Sequence, residues 1–403
     1  MTRLPYGLFD GDNHYYEPRD AFTRHLEPRY RDKAVRVEQA ADGTETIWIG
    51  KRRFTFLADM ELNFETTVRP GSLREFLRTL THEHPADADA VQIPVDPAFV
   101  NRDARLALMD RQGIESVFLF PTLGVCVEHF MKDDVEQTYA NLRAFNRWLD
   151  EDWGFAHRNR IFASPVISLL DEREAVKDLE WALARGARIV NIRVGPVPRP
   201  DGPRSPADPI YDAFWARANE AGATIAYHVG ESGYNEMMSV HWGEQPNPSS
   251  HSQSAFQWTN FYGDRPIMDT LSALILHNLF GRFPNVKVVS VENGSLFVPY
   301  LMKVMDKMKG MGRNGPWLGG RVHGRPSEIL KQHVWVNPYH EEDHVALAEL
   351  IGVDHVVFGS DFPHPECVPH PDEWLADMQG KFSADDLKKV MRDNARHLVG
   401  LPA

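Results

Sequence analysis

The sequence predicts a parallel (β/α)8 barrel, on three observations. Eight short apolar, β-branched runs recur along 403 residues. They are near-continuously apolar rather than alternating, as strands buried on both faces are. The stretches between them carry helical periodicity and end on helix stops, the alternation that a barrel of parallel strands requires. A doubly wound open sheet is the competing arrangement, but no G-x-G-x-x-G follows an early strand, so its nucleotide-binding form has little support.

The first run is weak and spans Tyr6–Asp12. SVFLFPT (116–122), IFASPVIS (161–168), ARIVNIRV (187–194) and TIAYHVG (224–230) follow. KVVSVEN (287–293), HVWVNPY (333–339) and HVVFGSDFP (355–363) complete the eight. Between them, Leu142, Phe145 and Leu149 share one helix face, as do Ala175, Leu179, Ala182 and Leu183. Gly186 and Gly222 are C-terminal stops, and Asp171, Asp208 and Ser383 are N-caps. The tail 383–403 reads as a closing helix.

Two connections are too long for ordinary loops. Residues 17–100 contain a hairpin, TETIWIGKRRFTFL, and a short helix, SLREFLRTLTHE. The second long connection is 231–265, with Tyr234, Trp242, His251, Trp258 and Tyr262. Both would leave C-terminal strand ends, where barrel enzymes keep their sites. The expectation is therefore a single domain over 1–403. The insertion at about 30–95 and the loop at about 231–265 would serve as lid segments, the second offering aromatic lining for a flat acid.

Composition narrows the function. Apolar residues make up 42%, enough for a large core. A net charge of -13 opposes a nucleic-acid partner. Two cysteines, Cys126 and Cys367, exclude a disulfide framework or Cys-rich zinc module and suit a reducing, cytoplasmic compartment. No 18-residue apolar stretch points to a membrane. A small-molecule substrate remains the expected partner.

Polar residues cluster at the predicted strand ends. Asp12 and His14, two apart on an extended segment, point to one side. Arg193, His228, Glu292 and Asp361 end the fourth, fifth, sixth and eighth runs. In a barrel these would converge on one mouth. Two imidazoles and two carboxylates make a site for zinc, manganese or iron. Any one of these residues alone is as readily a buried or surface structural group, because D-x-H and single histidines are common. Arg193 is suited either to a substrate carboxylate or to a buried salt bridge with Glu231 or Glu292. His364 would hydrogen-bond a ligand or stabilise the turn between Pro363 and Pro365. His340 faces the mouth or caps a helix, and Asn394 and Arg396 read as structural.

Eight segments in order, DGDNHYYEP, VFLFPT, RAFNRWL, GARIVNIRVGPV, YHVGESGY, GRFPNVKVVSVENG, GSDFPHPE and DNARHLVGL, resemble the amidohydrolase-related group of the amidohydrolase superfamily. That group includes aminocarboxymuconate semialdehyde decarboxylase and its relatives. The resemblance implies a distorted barrel with one divalent metal, zinc first, manganese or iron as alternatives. Its ligands would be Asp12, His14, His228 and Asp361. Two-metal members use a carboxylated lysine at strand four, where Arg193 stands here, so one ion is expected. Members often form dimers, so a homodimer is expected too. The best-known decarboxylases carry a histidine at the end of strand six, and this chain has Glu292.

Three functions follow. A metal-dependent hydrolase would use Asp361 as ligand and proton shuttle, Glu292 to orient water or protonate the leaving group, and Arg193 and His364 in support. A non-oxidative decarboxylase of an aromatic or enol-type acid would use the same centre. A ligand-binding barrel would fill all four positions of a structural metal from protein.

Overall fold

In the computed structural model, described for residues 4–57, 64–80, 90–260 and 264–402, eight parallel strands close a barrel. In ring order they are Leu8–Tyr15, Ile114–Pro121, Ile161–Ala163, Ile189–Asn191, Thr224–His228, Lys287–Val291, Val334–Val336 and an eighth extended segment, 356–362. Three single bridges complete the ring: Val166 to Asn191, Val336 to Val356, and Phe362 to Asn13. The strands are short and the ring is held partly by such bridges, so the barrel is distorted.

The first strand runs two residues later than its apolar content suggests, Leu8–Tyr15 rather than 6–12. All eight of its residues are buried, including Asp10, Asp12, Asn13 and His14. Buried polar side chains hid it from a hydrophobicity reading. Its pairing with the second strand slips between Asp10 and Asn13, an irregularity of the kind that re-aims side chains beside functional sites.

The barrel is filled rather than hollow. Phe9, Phe118, Phe162, Val289, Trp335 and Val357 pack inside it, closed below by Leu398 and Val399. A larger shell of aliphatic and aromatic side chains joins strands to helices, with Leu142, Phe145, Leu149, Ala175 and Leu179 buried on the inner helix faces. Asp171, Asp208 and Ser383 accept hydrogen bonds from the first-turn amides of their helices, and Gly222 ends its helix at φ 63°. The tail is helical over Ala384–Lys388 and Asn394–Leu398 with a π-turn at Lys389–Asp393 between them. Asn394 there donates to the carbonyls of Val353 and Val356, at 2.8 and 2.7 Å. Arg396 donates to the Pro402 carbonyl and pairs with Glu115.

The first insertion holds an antiparallel sheet, Val35–Gln39, Glu45–Ile49 and Arg52–Arg53, and a second pair, Thr66–Val68 with Gln92–Pro94. The expected hairpin thus gains a strand at 35–39, and its helix is Leu73–Thr79. No helix among the described residues is long and apolar enough to cross a membrane.

The seam between first and last strands is unusually tight. A Cβ on Gly11 would lie 2.5 Å from Val357 Cγ1, and one on Gly359 would lie 2.4 Å from Asp12 Cβ. Only glycine permits that approach. Across the seam a buried polar network forms. Asp10 accepts from the Ser360 amide (2.9 Å), the Ser360 hydroxyl (2.5 Å), Asn13 Nδ2 (2.9 Å) and the Asp12 amide (3.2 Å). Arg105, 1% exposed on the helix Arg102–Gln112, donates to Asn13 Oδ1, to the His14 carbonyl at 2.6 Å and to the Ala98 carbonyl at 2.7 Å. Arg105→Ala would strand three buried acceptors and is expected to lower stability by about 3–5 kcal/mol. Arg105→Lys should recover only part of that, because one ammonium cannot reproduce the planar fork. Urea unfolding of the three proteins checks this, and equal stabilities would remove the network from the fold's support.

Candidate metal centre

Four strand ends converge above this seam. His14 Nε2 and His228 Nε2 lie 3.1 Å apart. Asp12 Oδ1 is 3.3 Å from His14 Nε2 and 3.5 Å from His228 Nε2. Glu292 Oε2 is 3.2 Å from His228 Nε2 and 3.8 Å from His14 Nε2, and Asp361 Oδ1 is 3.3 Å from His14 Nε2. Two overlapping sets, Asp12–His14–His228–Glu292 and His14–Glu292–Asp361–His364, each bring four donor atoms within 4.8 Å of one another.

The backbone aims them. Glu292 and Asp361 sit at the ends of the sixth and eighth strands with φ of 54° and 61°. Left-handed conformations in non-glycine residues cost free energy and collect at functional sites. Asp361 is held there by its amide donating to the Asp12 carbonyl at 2.8 Å. Glu292 is held by its amide on Asn337 Oδ1 at 3.3 Å and by the Tyr339 hydroxyl on its carbonyl at 3.1 Å.

The residues fit a cation. His228 Nδ1 lies 2.7 Å from the Val229 carbonyl, which requires a proton on Nδ1 and leaves the Nε2 lone pair facing His14. Asp12 Oδ1 and Asp361 Oδ2 are buried without a well-formed hydrogen bond. Such groups are costly unless something else satisfies them. Burial opposes ionisation of Asp12, yet His14 and His228 outweigh it and bring its pKa to about 2. Burial, then the charge on His364, drives the His14 pKa well below its usual value, which keeps the ring neutral and able to ligate. Glu292 and Asp361 are pushed well above the carboxylate range, Glu292 by burial and then by Asp361 and Asp12, Asp361 by burial and then by Glu366 and Asp12. Three acids crowding two imidazoles is an arrangement that a dication stabilises.

His364 bridges Asp361 to the second strand. Its Nδ1 is 2.8 Å from Asp361 Oδ1, its Nε2 is 2.9 Å from the Thr122 hydroxyl, and its ring lies 4.0 Å from that of His14. A cavity of about 110 Å3 opens over the cluster. His14, His228, Glu292 and His364 form its floor, Phe56, Leu57, Thr67 and Val68 of the first insertion wall it, and Tyr16 and Glu366 stand beside them.

Other expectations need correction. Arg193 does not line the cavity. Its guanidinium donates to the Ser232 and Pro196 carbonyls, fastening the loops after the fourth and fifth strands, and its charge acts on buried Glu231 and Glu128. The long loop 231–265 does not supply the aromatic lining among the described residues. Tyr234 is buried with its hydroxyl on Asp269, while Trp242 and Trp258 are 70% and 41% exposed. The loop instead meets the first insertion, where the Ser250 amide donates to the Phe56 carbonyl at 2.6 Å. Tyr262 and the His251 side chain lie outside the described residues. His340 pairs with Glu341 in solvent. The aromatic walls are Tyr16 and Phe56, and Asp10, Ser360, Thr122 and Glu366 join the site unforeseen. Asp10 had a signal, since Asp10, Asp12 and His14 alternate along one strand, and Glu366 stands with Asp361 in the segment GSDFPHPE, but Thr122 had none.

The sequence profile of the amidohydrolase family matches residues 79–401. No curated protein matches the chain. Among solved structures, an amidohydrolase of Mycobacterium avium subsp. paratuberculosis K-10 is 38% identical over 100% of both chains, with a TM-score of 0.87. A dihydroxybenzoic acid decarboxylase of Polaromonas sp. JS666, holding manganese and 2-nitroresorcinol, is 15% identical over 98% of this chain and 97% of its own, with a TM-score of 0.62. The 5-carboxyvanillate decarboxylase of Sphingomonas paucimobilis is 16% identical over 98% and 99%, also with a TM-score of 0.62. At such identities the last two share the fold. Profile and first relative together place this chain in the amidohydrolase family.

Proposed function

We propose that this protein is a metal-dependent hydrolase of a small carbonyl compound, holding one divalent ion on Asp12, His14, His228 and Asp361. The observation that carries the reading is the convergence of two imidazole Nε2 atoms on unsatisfied carboxylate oxygens at the floor of a cavity. When bound, a dication supplies Lewis-acid polarisation of a carbonyl and a lowered pKa for water. Zinc suits two imidazoles with carboxylates, and manganese, present in the Polaromonas relative, competes for the same donors.

The chain's own residues do the rest. Glu292, poised to hold a proton by burial and neighbouring acids, gives or takes it at Oε2. Asp361 is kept in one orientation by His364, itself fixed on Thr122. Phe56, Leu57 and Val68 keep bulk water from the floor. Decarboxylation of an aromatic acid is the second reading, favoured by the activities named for the Polaromonas and Sphingomonas relatives. In it Glu292 would deliver a proton to carbon, taking the place of a histidine. We also propose a cytoplasmic homodimer. Its compartment is suggested by a chain with only two cysteines, both buried, and its contact by Leu296, Tyr300, Met308 and Met311 along one exposed helix face.

Elemental analysis of the purified protein should find about one equivalent of Zn, Mn or Fe. His228→Ala and Asp361→Asn, both still folded by circular dichroism, should lose it. Retention in both variants would refute the ligand set. Glu292→Gln should keep the metal and lower turnover by roughly 100- to 10,000-fold. Unchanged turnover would remove Glu292 from the chemistry. A screen of lactones, amides and esters against aromatic acids, reading hydrolysis and carbon dioxide release side by side, separates the two reactions.

A further inference from the structure

The cavity is polar in one sense only. Among the described residues no Lys or Arg lines it. Arg193, the one cation that sequence placed at a strand end, spends its donors on two backbone carbonyls. Against this, Glu292 lines the floor and Glu366 the rim, with Asp12 and Asp361 directly beneath.

Glu366 is exposed and lines the same cavity as Glu292, His14 and His228, so its carboxylate faces whatever enters. A dication held by Asp12 and Asp361 would already be matched in charge by those two carboxylates, so one anionic group could enter only by coordinating the ion, and a second would meet no positive charge in the lining. The walls between floor and rim are apolar: Phe56, Leu57, Val68, Val125 and Val229. A ligand spanning the cavity therefore meets a cation, then hydrocarbon, then a carboxylate.

We propose that the cavity selects compact apolar or aromatic substrates bearing at most one anionic group, the one directed at the metal, with a neutral or cationic hydrogen-bond donor at the far end facing Glu366. Glu366 is thus a specificity-determining residue that refuses dicarboxylates. This rests on the metal reading above and narrows its substrate class. Repulsion between like charges across a low-dielectric cavity supplies the discrimination.

The test uses the metal-loaded full chain and three ring acids, benzoate, 4-aminobenzoate and terephthalate, with affinities measured by calorimetry. Wild type should bind 4-aminobenzoate at least tenfold more tightly than terephthalate, with benzoate between. Glu366→Gln should shrink the ratio severalfold, and Glu366→Lys should invert it. Position 366 is exposed and lies outside the proposed ligand set, so both variants should fold and keep their metal. Equal binding of the three acids, an unaltered ratio in both variants, or metal-loaded protein that binds none of them would overturn the proposal while leaving the metal reading standing. A chain that takes up no metal would overturn that reading and the selectivity with it.

Discussion

The Asp10 carboxylate is the constraint on which the site depends. A parallel barrel must join its last strand to its first, and here that join is also where two of the acids are mounted. Asp10 takes hydrogen bonds from Ser360 on one side of the seam and from Asn13 and the Asp12 amide on the other. Burial raises its pKa to about 7, against the pull of those donors. A group so close to neutrality is tolerated because four donors meet it and Arg105 stands behind Asn13. Closure and positioning are one act: the same bonds that seal the ring set Asp12 and Asp361 against each other.

Rigidity at the seam lets the neighbouring backbone bear strain. Of five non-glycine residues with positive φ among the described residues, two are Glu292 and Asp361. Each such conformation costs on the order of 1–3 kcal/mol. The Asp12 carbonyl, Asn337 and Tyr339 hold these two residues in place. Without those partners the strands would relax, and the carboxylates would leave the imidazoles. Glycine at 11 and 359 serves the same end, since a methyl at either would force the seam apart.

The barrel was legible because its strands are buried on both faces, and continuous runs such as SVFLFPT and TIAYHVG have few other uses. The ends of those runs also carried most of the site, since strand C-termini share one rim whatever their separation in sequence. Other parts were not legible for identifiable reasons. The first strand buries acids and amides, which no hydrophobicity pattern marks. Arg193 lies where a strand ends, but which way a long side chain turns depends on the loop it meets, and Ser232 and Pro196 took it. Aromatic residues in 231–265 suggested a lining, yet that loop packs behind the first insertion, and the insertion's own Phe56 reached the cavity. Thr122 and Arg105 act through partners more than 90 residues away and leave no local trace.

A glutamate at the end of the sixth strand differs from a histidine there in more than its proton-carrying group. An imidazole there would be neutral when unprotonated and would add no charge. A carboxylate adds a potential negative charge 3.2 Å from His228 Nε2, in a pocket already holding Asp12 and Asp361. The three acids cannot all ionise in so small a space, and the pKa of Glu292 and Asp361 rises accordingly. A cation resolves the conflict for the carboxylates that touch it and not for those beyond. A glutamate at 292 therefore binds two properties together. A floor that favours a dication more strongly than a histidine-bearing floor would also hold less positive field to share with a substrate, and the chain puts no lysine or arginine among the described lining to restore it.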